Sequence, residues 1–274
     1  GGPGSHGRLG QLAGTVVRGG VLGWGASGSA GGRRLLDDAI PGAELVAIAT
    51  RTAPIDPPVP VVAAVDLATL CDVVVEAVGH AGLRDHVPAL LAAGCRVIVV
   101  SSGALRDPDL LGEVTAAGSD RMTITSGAVG GLDIIEACRH SGEIHSIRLT
   151  TTKPPGTLVQ PWMDEAMVTA LDAGEEIVEC FEGPADEAAG RFPSSVNVAA
   201  TLALTAGSWD LLHVRVVGAP AATGNTHVIE IEADAGRYRV ELANRPLPDN
   251  PKSSALVVAS VLRNLSPLVT NVGG

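Results

Sequence analysis

The chain has 274 residues, 46% hydrophobic and 18% charged, with a mean hydropathy of +0.29; this excludes a disordered chain and suffices for one large domain or two modest ones. A formal charge of -11 and an isoelectric point near 5.0 argue against a nucleic-acid or anionic-membrane partner. Aromatic residues make up only 2% and glycines number 34, so Ala, Val, Leu and Ile must build a closely packed core.

The first fourteen residues lack the basic-then-apolar order of a signal peptide and read as a flexible tail. Short apolar runs then follow at 15–22, 44–49, 72–77, 96–100 and 122–125. Helix-like stretches at 29–39, 82–93 and 108–117, and a proline-rich loop at 53–60, separate them. Apolar runs without in/out alternation, spaced by helices, predict a parallel sheet covered on both faces. After Gly131, where a helix begins, the period changes. Along 146–153, Ile147, Leu149, Thr151 and Lys153 share one face; along 211–217, Leu212, Val214 and Val216 do. Residues 227–232 and 237–242, joined through Asp234-Ala235-Gly236, read as a hairpin. An apolar helical run at 196–204 lies between these strands, and Asn250-Pro251-Lys252-Ser253-Ser254 reads as the start of a final helix reaching about residue 265.

The expected architecture is α/β. A dinucleotide-binding Rossmann domain spans 15–130, and a smaller α+β substrate domain spans 131–250. A last helix, over 251–268, packs back on the first domain. Cys71, Cys95, Cys138 and Cys180 are scattered, without CxxC or metal-ligand spacing, and read as buried thiols of a reducing compartment. No metal site and no membrane span is expected, and the chain reads as cytoplasmic. A homodimer is the base-rate expectation.

Chemistry enters at Gly23-Trp24-Gly25-Ala26-Ser27-Gly28, a G-x-G-x-x-G between a strand and a helix. Gly23 serves the tight turn, Gly25 lets backbone approach a pyrophosphate, and Gly28 lets the helix pack on the strand. Where the second strand ends, an acid would bind the 2′-hydroxyl of NAD, but the chain reads Ala49-Thr50-Arg51. Arg51 points to NADP or dual use, unless it is simply a solvated loop residue.

Beyond this turn the chain resembles the L-aspartate dehydrogenase family from Gly23 to about residue 265. The resemblance is carried by Glu76-Ala77-Val78-Gly79-His80, by Ser101-Ser102-Gly103-Ala104-Leu105, and by the block from Thr125 to Asp133. It continues in the block from Phe192 to Ala200, in Asn225-Thr226-His227, and from Asn250 to Ala255. It implies a Rossmann domain with an α+β catalytic domain, and oxidation of L-aspartate through iminoaspartate to oxaloacetate and ammonia with NAD or NADP. It places the catalytic histidine on His227 and further nucleotide contacts on Ala128 and Asn197. The chain departs from the family at Trp24, where a small residue is usual, and at Ser27, where a bulky apolar one is. Ser194-Ser195 also stand where the family more often has an Asn.

The residue chemistry agrees. His227 opens an apolar strand face, and an amine-to-imine oxidation needs a proton acceptor whose ordinary pKa lies near neutrality, with rate falling as the ring protonates. Lys153 and Lys252 are the chain's two lysines. Lys153, in phase with Ile147 and Leu149, is the candidate cation for a substrate carboxylate, or a snorkelling strand end. Asn197 interrupts an apolar helix and meets the cofactor or caps its own helix; Ala128 acts through its main chain. His80, at the same sheet edge, contacts cofactor or substrate or is plain loop. A related oxidoreductase on another amino or imino acid, and a non-catalytic NAD(P)-binding protein, are the alternative functions.

Overall fold

The computed structural model describes residues 16–192, 195–247 and 250–270. The expected tail at 1–14 lies outside them.

Five strands, β1 (Val17–Leu22), β2 (Ala43–Ala49), β3 (Val73–Glu76), β4 (Arg96–Val99) and β5 (Met122–Ile124), form a wholly parallel sheet in the order β2-β1-β3-β4-β5. The strands β2, β3 and β4 are short and nearly continuous in Val, Ile, Leu and Ala because both faces are covered. One face packs Leu22, Val74, Val97 and Val99 against Leu83, Val87, Leu90 and Leu91 of α3 (His80–Ala92) and Leu110 and Val114 of α4 (Pro108–Gly118). The other face packs Val21, Ile48, Val73 and Ile98 with Leu35 of α1 (Ala26–Leu36) and with Val261 and Leu265 of α9 (Ala255–Thr270). Helix α9 therefore returns to the parallel sheet although the second sheet precedes it in sequence, and Thr125 Oγ1 and Ser260 Oγ share a short hydrogen bond there.

The second sheet is mixed, in the order β10-β9-β6-β8-β7. Its strands are β6 (Ile144–Lys153), β7 (Val178–Pro184), β8 (Leu212–Gly218), β9 (Thr226–Ala233) and β10 (Gly236–Ala243). Ile147, Leu149, Val214, Val216, Ile229 and Ile231 point to one buried face, against α5 (Leu132–Ser141), α7 (Ala185–Arg191) and α8 (Val196–Ala206). The exposed face carries cross-strand pairs, Arg148 to Glu182 at 2.9 Å, Arg215 to Glu179 at 2.7 Å and Arg239 to Glu230 at 2.7 Å. Such solvated pairs add little stability but keep the face polar.

One sequence expectation needs correction, and several elements were not predicted. Residues 250–254 do not start the last helix. They form a strand, β12 (Asn250–Ser254), paired with β11 (Pro246–Leu247), and the helix begins only at Ala255. Residues 64–70 hold a 3-10 turn and the short helix α2 (Leu67–Leu70), which the sequence reading passed over. It also passed over β7, α7 and α6 (Glu165–Ala173), although Asp164 caps α6 by accepting from Met167 N at 2.8 Å. All four cysteines are buried free thiols, and burial raises Cys71 to about 12 and Cys95 to about 11. Among the described residues no helix is long and apolar enough to cross a membrane, and no cluster of three or more His, Cys, Asp or Glu is placed to hold a metal.

Candidate active site

The strand order reverses direction between β1 and β3, and the crevice at the carboxyl ends of such strands is where doubly wound sheets bind ligands. The glycine turn sits there. Gly23 has φ +98°, and a Cβ on it would meet Ala77 O at 2.6 Å and Val78 Cα at 2.7 Å, so the turn lies directly against the end of β3. A Cβ on Gly28 would collide with the Gly23 carbonyl. Gly25 differs, because a Cβ there meets nothing within 4 Å. No side chain caps α1 and no acid occupies its first turn, which leaves its amide donors and positive dipole end uncompensated. A pyrophosphate fits this cradle, with close backbone approach at Gly25 and an anion site at the helix start. Gly25→Val is therefore expected to weaken dinucleotide binding with little loss of thermal stability, read by cofactor fluorescence titration beside a melting curve.

From this edge a cleft of about 130 Å³ opens between the two sheets. Ser27, the 125–128 turn and Ser102 line it on one side, and Lys153, Ser195, Asn197, Asn225 and His227 on the other. Its floor is built by strand pairing. Thr151 of β6 lies opposite His227 of β9 in antiparallel register, and Lys153 is two residues further along β6 on the same face. Both Lys153 and His227 sit deep in the protein, 9% and 2% exposed. His227 Nδ1 lies 3.1 Å from Thr151 Oγ1. Burial, and secondarily the Lys153 charge, push the imidazole down to about 4. Lys153 Nζ donates to Ser195 Oγ at 2.8 Å, and its pKa is lowered by burial. Among the described residues no carboxylate lies within ion-pair distance of it. A buried ammonium held by one hydroxyl is poised for an anionic ligand.

The family "aspartate dehydrogenase, C-terminal" matches residues 133–268, and "homoserine dehydrogenase, NAD binding domain" matches residues 23–123. The L-aspartate dehydrogenase of Methanosarcina mazei is 36% identical over 211 residues, covering 76% of this chain and 77% of that protein. L-aspartate dehydrogenase 2 of Bordetella pertussis is 36% identical over 255 residues, covering 89% and 94%. The chain belongs to the L-aspartate dehydrogenase family. The crystal structure of aspartate dehydrogenase from Thermotoga maritima superimposes with a TM-score of 0.72 at 24% identity, over 92% of this chain and 96% of that one, which supports the same two-sheet fold.

Within this aspartate dehydrogenase fold the residues singled out in the sequence are distributed as follows. Ala128, Lys153, Asn197 and His227 line the cleft, and Gly23, Gly25 and Gly28 belong to the turn that brings Ser27 to its edge. Arg51 is exposed in the loop after β2, not in the cleft, without a hydrogen bond or ion pair among the described residues. Nothing is described for the side chain of Lys252. Asn197 is not a helix cap: Ser195 occupies that position, and Asn197 Oδ1 accepts from Gly103 N at 2.9 Å, across the boundary between the sheets. Ala128 lines the cleft. Its carbonyl accepts from Asn244 Nδ2 at 2.9 Å, and its amide has no protein acceptor among the described residues. The expected ordinary imidazole pKa for His227 is corrected downward by its burial. Thr151, Ser195 and Asn244 were not anticipated. Thr151 was legible as the neighbour of Lys153 in phase, but its opposition to His227 depends on a strand register that no local pattern gives.

Proposed function

We propose that this protein is an NAD(P)-dependent L-aspartate dehydrogenase, in which residues 15–130 hold the dinucleotide and residues 131–250 the amino acid. The observation that carries this reading is the buried His227–Lys153 pair, facing the carboxyl edge of the parallel sheet across a single cleft. The amide ends of α1 and the Gly23–Gly28 turn would hold the pyrophosphate, with the Ala128 amide and Asn197 Nδ2 at the far end of the cofactor. When bound, the dinucleotide supplies the acceptor for the hydride leaving the substrate α-carbon.

The chain's own residues do the rest. Lys153 Nζ pairs with one substrate carboxylate and, with Ser195 Oγ, fixes the amino acid in place. His227, neutral at pH 7 because its pKa lies near 4, holds a lone pair where a proton must go. With Nδ1–H donating to Thr151 Oγ1, the base is Nε2. Nε2 takes a proton from the substrate nitrogen as the α-carbon loses its hydride, giving iminoaspartate. Once that proton has passed to bulk water, Nε2 is again a base: it takes a proton from the water that attacks the imine carbon and delivers the same proton to the departing ammonia. The apolar walls, Val100, Val198 and Val257, limit competing water.

Mixing the protein with single L-amino acids and either oxidised cofactor, and following reduced-nicotinamide absorbance, tests the assignment. L-aspartate is expected to be the preferred substrate. Reduction with another amino acid but not with aspartate, or with none, would overturn it. Because no acid ends β2 and Arg51 has no ion-pair partner among the described residues, NADP is expected to serve at least comparably to NAD. Arg51→Ala should then weaken NADP selectively, and a strong preference for NAD that survives the substitution would remove Arg51 from cofactor choice.

A further inference from the structure

His80 lies beside the cleft and has no task in the mechanism above. It is exposed and opens α3, yet its Nε2 lies 3.0 Å from Asn197 Oδ1, on an element of the other sheet's layer. Gly103 N donates to the same oxygen at 2.9 Å. A backbone N–H can only donate, so the Asn197 atom facing it is the carbonyl oxygen. The His80 nitrogen that meets that oxygen must therefore carry a proton and donate as well. Two donors converging on Oδ1 fix the amide plane. Nδ2, with no protein partner among the described residues, is left as the polar atom that Asn197 offers a ligand.

The surroundings hold this arrangement closed. A Cβ on Gly103 would lie 2.7 Å from both His80 Nε2 and Asn197 Oδ1, so the three groups leave no slack. Ser102 Oγ donates to the Asn197 carbonyl at 3.0 Å. The loops that carry His80 and Gly103 are joined underneath by the buried Glu76, which accepts from Val78 N at 2.9 Å and Ser101 N at 2.9 Å. Ser101 Oγ in turn accepts from Gly79 N at 3.1 Å.

We propose that His80 is a positioning residue for dinucleotide binding: its hydrogen bond to Asn197 Oδ1 turns the Asn197 amide nitrogen toward the cofactor. The proposal rests on the reading that a dinucleotide occupies the cleft. Failure of that reading would show separately, as parent protein that binds neither NADH nor NADPH.

The test is the dissociation constant for NADH and NADPH, followed by nicotinamide fluorescence, in the parent, His80→Ala, His80→Gln, Asn197→Ala and the double alanine variant. His80→Ala is expected to weaken binding by about tenfold, the usual worth of one hydrogen bond. His80→Gln, which keeps a donor of similar reach, should recover to within about threefold of the parent. The KM for aspartate should change by less than about twofold, because His80 acts on the cofactor side. The double variant should bind no more weakly than Asn197→Ala alone, since residues that act through one another are not additive. Parent-like binding by His80→Ala, equal losses in the alanine and glutamine variants, or losses that multiply in the double variant would each overturn the proposal. Because His80 is exposed, its replacement leaves the core intact, and a melting curve on each variant checks this.

Discussion

His227→Ala is expected to lower turnover with aspartate by roughly 10²–10⁴-fold, the contribution of a positioned acid/base group, while NADH affinity stays within about twofold of the parent. Stopped-flow or steady-state kinetics beside a fluorescence titration would measure both. Near-parent turnover would remove the imidazole from the mechanism. The parent's pH profile carries a second signature. An ordinary histidine would lose its base form below about pH 6.5. With its pKa pushed down to about 4, His227 should remain a base well below that, so an acid limb assigned to it lies near pH 4 in the free enzyme. Stability follows the same asymmetry. The unfolded chain binds this proton more tightly than the folded one, so the ring's contribution is complete above about pH 6.5 and declines as pH falls from there toward about 4. His227→Asn should flatten that part of the stability profile.

Lys153→Met is the second large effect. It should raise KM for aspartate by about 10- to 100-fold, the range of a lost charge-assisted contact, with cofactor affinity little changed. Methionine nearly matches the aliphatic stem, and the ammonium it replaces has no carboxylate partner among the described residues. The folded state should therefore be as stable as the parent or more so. Removing the cation should also let the His227 pKa rise, moving the acid limb toward neutrality. An unchanged KM would show that the substrate carboxylates are met elsewhere.

What the sequence disclosed divides along physical lines. The glycine turn was readable because its demands are local: a positive φ at Gly23 and open space at Gly25 are properties of a few consecutive residues. Lys153 and Ile147 share a face because strand alternation is a rule of period two. The opposition of Thr151 and His227, the hydroxyl of Ser195 under Lys153, and the triangle of His80, Asn197 and Gly103 join residues 42 to 117 positions apart. Those separations are set by sheet register and by how α8 lies against the 102–106 turn, which periodicity does not encode. Residues 250–254 misled for a related reason. Proline and serines make a helix-start signal, but pairing with Pro246–Leu247 claims them as a strand. Strand β7 was overlooked because Glu179 and Glu182 interrupt its apolar run, with an irregular register at Glu179/Phe181.

The return of α9 to the parallel sheet has a consequence for how the chain is made. Val261 and Leu265 complete the layer over Val21, Val73 and Ile98, yet about 130 residues separate the end of β5 from the start of α9. At about 5–20 residues per second on the ribosome, the order of ten seconds passes between synthesis of the last parallel strand and arrival of its cover. Through that interval the nascent sheet has α3 and α4 on one side and only α1 on the other. That face of the dinucleotide-binding half can therefore close only late, after the mixed sheet has been made.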